Sequence, residues 1–570
     1  MEAQGQGHGQ GQELKSMSID PSPDAEGEPE TEEVADLSSV RHSQRHEDHL
    51  LRRLGKRPVL KRTFGFMSIL GFSCTILVTW EGSMVGGPAG VIYSYLFVWA
   101  GTFATFTTMG ELASMAPTSG GQYHWTSMLA PRAAHKFYSY LADADKPGWL
   151  TVLGWQAAVA SSAYLSGSLI QGLVVLADAS YSPQPWQTTL VIWAVVGFGV
   201  LINVAVSGLL PKFEGVILII HLLGFFAVLI PLVYMGDHNS AAFVFTTFIN
   251  GGNWQTQGLS FCVGIVGSMF AFMGADAAVH MSEEIRHASV MVPRSILTSL
   301  VLNGTLGFAM ILATLFVLTN VDAAMDSPTG YPFMEIFYQA THSRGGSTVM
   351  AAIVTAMMVT ATVGAIASSS RMIWSFARDR GMPGWRVLSK VDPRTAIPMY
   401  AVAVATVVGC LLALIVIGSE TVFNDVISLS VSSLYTSYLL CACLLLYRRC
   451  TGGILSETTE VVHAVRNTAG AQLVWGPFHV LGIWGVFVNS FAVVYLVIGV
   501  FFSLWPPDRF VTPSTMNFSV VGTGGVVLLS TLYYIFVAKG TYTGPVVEVT
   551  NNVIGIAILD TASLKETYYI

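Results

Sequence analysis

Charged side chains are scarce in this chain of 570 residues: Asp, Glu, Lys and Arg make up 11% of it, whereas hydrophobic residues make up 52%. A soluble domain of ordinary composition carries roughly 25% charged residues. Between residues 149 and 275 the charged side chains are Asp178, Lys212, Glu214 and Asp237, too few to cover the surface of a soluble domain. The shortage argues against a soluble protein and indicates an all-α integral membrane protein.

Cysteine is also infrequent, with six in the chain. Five lie in apolar runs and Cys450 lies at the end of one, so no disulfide framework is expected. The sequence contains no phosphate-binding loop, no paired metal-binding His motif and no serine nucleophile elbow. We therefore expect neither an enzyme nor an ATP-driven pump, no cofactor or metal site, and no nucleic-acid partner.

The acidic residues are concentrated near the amino terminus, where twelve of the 35 fall within the first 48 positions. This stretch is rich in Gly, Gln, Pro, Glu and Ser and has too little apolar area to offset the entropy of ordering. We predict a disordered acidic cytoplasmic tail at 1–55, a twelve-helix membrane domain at 56–537 and a cytoplasmic carboxyl-terminal tail at 538–570.

Apolar runs bounded by Pro, Gly and charge predict twelve spans of about 20 residues, the length that a ~30 Å hydrocarbon layer requires. The predicted spans are Phe64–Val85, Ala89–Leu112, Trp149–Leu176, Leu190–Leu210, Val216–Met235, Leu259–Met281, Ser295–Leu318, Val349–Phe376, Ile397–Ile417, Val422–Tyr447, Val480–Leu504 and Val520–Val537.

The basic residues orient these spans, because short basic loops stay on the cytoplasmic side. With the amino terminus inside, 26 of the 28 Lys and Arg residues are cytoplasmic, and Arg344 and Arg509 are outside. The bias favours an even number of spans and two cytoplasmic termini. We expect a multi-pass protein of the plasma membrane, with the vacuolar membrane as the alternative.

Two acids lie in the middle of apolar spans, each beside a glycine: Glu81 before Gly82, and Asp276 after Gly274. They occupy equal positions in the first and sixth predicted spans, which run in opposite directions. An inverted repeat of five plus five helices, with broken helices 1 and 6 around a midplane site, gives this relation. The alternative is that the glycines permit close helix packing and the acids pair within the bundle.

A broken helix frees backbone groups that a ligand can satisfy. The amino end of a half-helix favours a carboxylate, and a nearby acid favours an ammonium group. The two breaks therefore describe a receptor for a zwitterion. Trp80 and Phe272 flank the breaks and can stack on the alkyl part of a substrate or on a quaternary ammonium group.

Asp276, His280 and Glu284 recur at intervals of four and share one face of a helix, which is the arrangement of a proton path. The alternative places His280, Glu283 and Glu284 at the membrane surface, paired with the nearby basic residues Arg286 or Arg294. A competing sodium site would take oxygens from the eighth span, from Ser368, Ser369 and Ser370, although Ser in a helix usually bonds to its own turn.

Several motifs together resemble the amino acid/polyamine/organocation permeases, and within them the fungal branch of GABA, choline and related amino acid permeases. The resemblance covers roughly residues 64–537. The motifs that carry it are Gly71-Phe72-Ser73-Cys74-Thr75, Thr79-Trp80-Glu81-Gly82, Gly86-Gly87-Pro88-Ala89-Gly90, Glu111-Leu112-Ala113-Ser114-Met115-Ala116-Pro117, Gly154-Trp155-Gln156, Asp276-Ala277-Ala278-Val279-His280-Met281-Ser282-Glu283-Glu284 and Phe376-Ala377-Arg378-Asp379.

The resemblance implies a five-plus-five inverted repeat of the leucine-transporter type with two further carboxyl-terminal helices, alternating access, and uptake of an amine-bearing solute driven by a proton gradient. Carried over, the residues predicted to bind substrate are Trp80, Glu81 and Gly82 on the first helix, Phe272 and Gly274 on the sixth, and Ala365, Ser368 and Ser369 on the facing wall. Asp276 and His280 are the predicted proton-coupling pair.

The chain departs from the family at two places. Only Ser83, Met84 and Val85 separate the Trp-Glu-Gly element from the Gly-Gly-Pro element, where relatives usually carry a further half-helix, and Asp143 to Pro147 are additional. A break at Glu81 leaves the outer half of the first helix very short; alternatively, residues 64–85 cross without a break.

The predicted function is secondary transport of an amino acid or a related small amine such as GABA by proton symport, with sodium as the less favoured coupling ion. The alternatives are a choline or polyamine permease and a non-transporting nutrient sensor or degenerate permease. The expected partners are the substrate and membrane lipid, and the oligomeric state is left open.

Overall fold

The computed structural model describes residues 48–77, 80, 87–130, 146–178, 180–418, 420–456, 465–513, 515–538, 542 and 544–548. Helices dominate these residues, as the shortage of charge and the long apolar runs predict. In chain order the helices are α1 Phe66–Ile76, α2 Gly87–Met115, α3 Gln122–Leu129, α4 Lys146–Ala177, α5 Pro185–Val204, α6 Leu210–Met235, α7 Ala241–Thr246, α8 Gln257–Phe272, α9 Ala277–His280, α10 Ala288–Phe316, α11 Val321–Met325, α12 Pro332–Thr341, α13 Arg344–Arg378, α14 Trp385–Leu388, α15 Met399–Ala413, α16 Ile415–Gly418, α17 Glu420–Cys450, α18 Gly482–Ser503 and α19 Ser519–Phe536.

Within the described part of the chain, eleven helical segments are long and apolar enough to cross a membrane. They correspond to the second through twelfth predicted spans, with α8 and α9 together forming the sixth and α15 and α16 the ninth. The first predicted span contains α1, which has 11 residues. The multi-pass all-α fold is therefore confirmed, with eleven long spans where twelve were predicted.

The helices pack reciprocally, as two related halves do. α1 packs against α10 as α8 packs against α2, and α4 packs against α15 as α13 packs against α5. α2 also packs on α10, and α4 on α13. The first five spans are α1, α2, α4, α5 and α6. The next five are α8 with α9, α10, α13, α15 with α16, and α17. The packing pattern is therefore that of the predicted five-plus-five repeat.

One end of the bundle, where α2, α13 and α17 finish, gathers most of the buried ion pairs; we call it the charged end. The chain before α1 packs here: Leu51 is 4% exposed and Leu54 is 1% exposed. The chain after α19 also returns here, because the Glu548 amide donates to the Gly55 carbonyl at 2.6 Å. Packed chain therefore lies on both sides of positions 55 and 538, where the domain boundaries are predicted. Residues 1–47 and 549–570 of the predicted tails fall outside the described residues.

Candidate functional site

The end of α1 and an interruption of the sixth span lie together in the centre of the bundle. α1 ends at Ile76, and Leu77 after it is extended, with φ −82° and ψ 109°. α8 ends at Phe272, and Gly274 after it has φ +91°, a conformation that glycine adopts without strain. The predicted break in the sixth span is therefore present. An uninterrupted crossing over residues 64–85 is wrong, because the helix stops in the middle of that run.

The end of α1 and the break after α8 border a small central cavity of about 30 Å³. Its lining residues come from α1, α4, α13 and the break after α8, and include Ile76, Trp155, Ser162, Gly274, Ala361 and Ala365. Ala365 is thus placed on the wall facing Gly274, as predicted. A space of this size holds about one water molecule, so it is too small for an amino acid in this conformation.

Asp276 is the most highly connected acid near the breaks. It is fully buried, and its Oδ1 atom accepts a 2.6 Å hydrogen bond from the Tyr438 hydroxyl. Its Oδ2 atom accepts one from the Gln122 amide at 2.7 Å and one from the Trp155 indole at 3.3 Å. The carboxylate therefore joins α3, α4 and α17 to the break.

His280 lies one turn beyond Asp276 on α9 and is also fully buried. Its Nδ1 atom is 3.0 Å from the Ser119 carbonyl oxygen, and its Nε2 atom is 3.3 Å from Oδ2 of Asp276. A carbonyl accepts only, so Nδ1 carries a proton and donates. The predicted Asp276–His280 pair is therefore in contact.

The predicted serine wall lies on α13 beside the same break. The Ser368 hydroxyl donates to the Ala277 carbonyl at 3.4 Å and so ties α13 to the start of α9. The Ser370 hydroxyl bonds to its own turn, at the Ala367 carbonyl. Ser369 is buried, and its hydroxyl has no hydrogen-bond partner among the described residues.

Trp80 and Phe272 belong to separate aromatic groups. The Trp80 ring lies 5.4 Å from Phe333 and 6.2 Å from Phe337, whereas the Phe272 ring lies 5.0 Å from Tyr95. Trp80 lines a cavity of about 70 Å³ between α1 and α6, and Phe272 is fully buried. Glu81 and Gly82 fall outside the described residues.

A larger cavity of about 570 Å³ opens at the end of the bundle opposite the charged end. It lies between the start of α2, the start of α8, α11 and α12, and its lining includes Trp254, Ser260, Asp322 and Ile336. Of the described residues that line it, Asp322 is the one that is charged. We call this cavity the vestibule; its volume is within the range of small-molecule sites.

The acids that follow His280 are held by arginines of α13. The Arg378 guanidinium donates to both oxygens of Glu283 at 2.7 and 2.9 Å, and the Arg371 Nε atom donates to Glu284 at 2.8 Å. The prediction that these acids pair within the protein is correct, but the predicted partners, Arg286 and Arg294, are wrong. Partners about 90 positions away are brought close only by the packing of α13 on the sixth span.

Asp379, the residue after α13, was not among the predicted site residues. It forms a buried ion pair with Lys56, accepts from the Tyr123 hydroxyl at 2.8 Å and accepts from the Val546 amide at 3.0 Å. In the sequence, the signal for Asp379 is its place in the family motif, beside Arg378. Lys56 lies in a run of basic residues that is typical of a cytoplasmic membrane anchor, so that run does not point to a buried partner.

The electrostatics of the charged end follow from burial and these pairings. Burial disfavours the charged form of Asp379, but Lys56 and Arg378 hold its pKa below the ordinary value. Burial also acts against charge on Glu283, whose pKa Arg378 nevertheless keeps low. Burial, followed by the charge of Lys56, lowers the pKa of His124 on α3 to about 4. At neutral pH the two acids are therefore charged and His124 is neutral.

No group of three or more His, Cys, Asp or Glu residues that could hold a metal ion occurs in the described part of the chain. The described site consists of a small central cavity, the buried Asp276 and His280 beside it, a vestibule at one end and a set of ion pairs at the other.

Comparison with known proteins adds to this geometry. A model of the amino acid permease family matches residues 61–526. The chain is similar to the choline transporter of Saccharomyces cerevisiae, with 28% identity over 490 residues, which cover 84% of this chain and 82% of that protein.

Two other relatives show similar coverage. The amino-acid permease BAT1 of Arabidopsis thaliana is 29% identical over 521 residues, which cover 87% of this chain and 95% of the relative. The GABA-specific permease of Saccharomyces cerevisiae is 24% identical over 544 residues, which cover 91% and 90% of the two chains.

Proposed function

This chain belongs to the amino acid permease family, and on that premise we propose that it is a secondary transporter that carries an amino acid or a related small amine across a membrane. The observation that carries the proposal is the meeting of the end of α1 with the broken sixth span beside a central cavity too small for a solute. Such a centre binds a solute only when helices move apart, which is what alternating access requires.

The substrate proposed is a zwitterion such as GABA. Support comes from the vestibule, where Asp322 favours an ammonium group and none of the described lining residues opposes it with positive charge. The relative named for GABA fits this chemistry. Choline or a polyamine is the second candidate, since aromatic residues such as Trp80 and Trp254 can contact a cation that has no carboxylate.

The coupling ion proposed is the proton. Nδ1 of His280 donates to the Ser119 carbonyl, so Nε2 of the neutral ring is a lone pair facing a carboxylate oxygen of Asp276 at 3.3 Å. Two acceptors at this distance repel each other unless a proton lies on one of them. The pair therefore supports binding of one exchangeable proton beside the central cavity.

In this proposal the charged end faces the cytoplasm and the vestibule faces outward, since the Lys and Arg bias of the sequence favours that orientation. The ion pairs of Glu283, Glu284 and Asp379 then close the cytoplasmic path, and solute enters through the vestibule. A sensor without transport is the competing function, because only three residues separate the Trp-Glu-Gly and Gly-Gly-Pro elements.

Uptake measurements test the proposal. Cells lacking their own carriers are made to express the chain and are given labelled amino acids, GABA, choline and putrescine. Uptake of at least one solute is expected, and the variant Ala365→Phe, which fills the central cavity, should abolish it at equal surface abundance. Absence of uptake of every solute, with normal delivery to the surface, contradicts transport and supports the sensor.

A further inference from the structure

Glu214 on α6 is a buried carboxyl group with almost no polar contact. It is fully buried, its Oε1 atom has no hydrogen-bond partner, and its Oε2 atom lies 3.3 Å from the Thr75 hydroxyl of α1. A buried carboxylate without a partner is so costly that the group takes up a proton instead.

The other buried acids of the described residues have stronger partners. Each accepts from a cation or from several N–H and O–H groups. These pairings are Glu111 with Arg449, Asp276 with Tyr438, Gln122 and Trp155, Glu283 with Arg378, Glu284 with Arg371, and Asp379 with Lys56. Glu214 stands apart because a single shared hydroxyl is its polar neighbour.

Thr75 offers Glu214 little stabilisation of a negative charge. Its hydroxyl has one hydrogen, which the 2.7 Å contact to the Gly71 carbonyl and the 3.3 Å contact to Oε2 of Glu214 share. The longer contact goes to the carboxyl group. A charged carboxylate would thus be buried with a single long, shared hydrogen bond, and the geometry favours the protonated acid.

The basic side chains on the helices around Glu214 are either exposed or paired with another acid. On α6 itself Lys212 is exposed, and on α10 Arg294 is exposed. On α13 Arg371 pairs with Glu284 and also reaches the Asn203 amide oxygen.

Two neutral titratable groups lie near Glu214, one on α1 and one on α6 itself. Cys74 of α1 is a buried thiol, and His221 lies two turns further along α6, where it lines the cavity of about 70 Å³ together with Thr75 and Trp80. Neither supplies a permanent positive charge, so the carboxyl has no counter-ion in this conformation.

The contact depends on α1 lying close to α6. Gly71 faces the Glu214 carbonyl oxygen so closely that a Cβ atom there would overlap it, and Leu218 packs at the same point. Four residues after Gly71, Thr75 touches Glu214, and the next residue is Ile76, which borders the central cavity. A displacement of α1 therefore changes both the central cavity and the surroundings of Glu214.

We propose that Glu214 is a second proton-binding site, protonated while α1 rests on α6 and deprotonated when the helices separate and water enters between them. In the release step the carboxyl O–H bond breaks and the proton passes to that water, leaving a hydrated carboxylate. Its role in transport rests on the function proposed above, whereas its protonation does not.

Infrared spectroscopy of the full chain in lipid tests the protonation without any ligand. At neutral pH the wild type should show the C=O absorption of a buried protonated carboxyl, and Glu214→Gln should lose it. Asp276→Asn, which removes a different acid, should retain it, as should Glu335→Gln, a matched change on α12. A Glu214→Gln spectrum in which none of the wild-type protonated-carboxyl absorption is lost overturns the proposal.

Proteoliposomes loaded with GABA test the coupling. Glu214→Gln mimics the protonated acid, so GABA counterflow should persist while accumulation driven by a pH gradient falls to the equilibrium level. Glu335→Gln should accumulate GABA as the wild type does. If wild-type protein shows no counterflow of GABA, the substrate proposal fails, while the infrared result still decides Glu214.

A third variant guards against a folding defect. Glu214→Asp keeps a titratable acid at this position, so it should retain a protonated-carboxyl absorption and recover part of the accumulation that Glu214→Gln loses. Full pH-driven accumulation by Glu214→Gln, or equal loss in both variants at equal thermal stability, contradicts a role for the proton.

Discussion

Ile76, the last residue of α1, lies directly against Gly274 in the break of the sixth span. A Cβ atom added at Gly274 would lie 2.9 Å from Cγ2 of Ile76. On its other side Ile76 meets Gly364 of α13, where an added Cβ would also lie 2.9 Å away. The end of α1 is thus in contact with the broken sixth span, and the absence of side chains on two glycines makes that contact possible.

Gly274→Ala is expected to impair transport. The residue has φ +91°, which costs an alanine about 1–2 kcal/mol, and the new methyl group would also push Ile76 out of place. We expect a large loss of uptake with detectable surface protein, measured beside Gly197→Ala on α5, where an added Cβ meets nothing within 4 Å. Normal uptake by Gly274→Ala would show that the break relaxes freely.

Asp276→Asn is expected to remove the pH dependence of uptake while preserving expression, because an amide cannot take up the proton in the coupling proposed above. The exposed acid Asp237 provides the control, as Asp237→Asn should leave the pH profile unchanged. Uptake by Asp276→Asn that still varies with pH as in wild type removes Asp276 from the coupling role.

Tyr438→Phe should give a graded version of the same effect. It deletes the 2.6 Å hydrogen bond to Asp276, and an unsatisfied buried acceptor costs about 1–3 kcal/mol. Because the charged carboxylate loses this donor, protonation becomes easier, and the pH of half-maximal uptake should move upward. An unshifted profile would mean that this hydrogen bond does not act on the proton.

Asp379→Asn should destabilise the protein more than Lys56→Met. The first change leaves the buried ammonium of Lys56 unpaired, at a cost of about 3–5 kcal/mol, whereas the second leaves Asp379 with donors from Tyr123 and Val546. Thermal unfolding in detergent measures both. The double variant should lose less than the sum of the single losses, and strict additivity would show that the two side chains do not interact.

Acid should destabilise the charged end through His124. Its folded pKa is about 4, against 6.5 for the free side chain, so the folded state binds fewer protons than the unfolded state. Its contribution is complete above pH 6.5 and is lost as the pH falls toward 4, by at most about 1.4 kcal/mol per pH unit. His124→Gln should flatten the fall in unfolding temperature over this interval; parallel curves for the two proteins would contradict it.

Local features of the fold and site were predictable because their causes are local. Run length alone defines a span, since a helix must match the hydrocarbon thickness, and Gly274 after Phe272 marks a break without knowledge of any neighbour. Asp276 and His280 share a helix face by their spacing of four residues. These features follow from residues within a few turns of one another.

The tertiary structure alone decided which groups meet. Lys56 and Asp379 are 323 positions apart in the sequence. Glu283 pairs with Arg378, and not with Arg286 three positions away, because α13 packs beside the sixth span. The same holds for Ile76 against Gly274 and for Glu214 beside Thr75. The sequence by itself determined a multi-pass helical membrane protein of the permease family with a broken sixth span. Which buried charge is paired and which is left to hold a proton depends on helices from distant parts of the chain, because hydrogen bonds and ion pairs act only over a few ångströms.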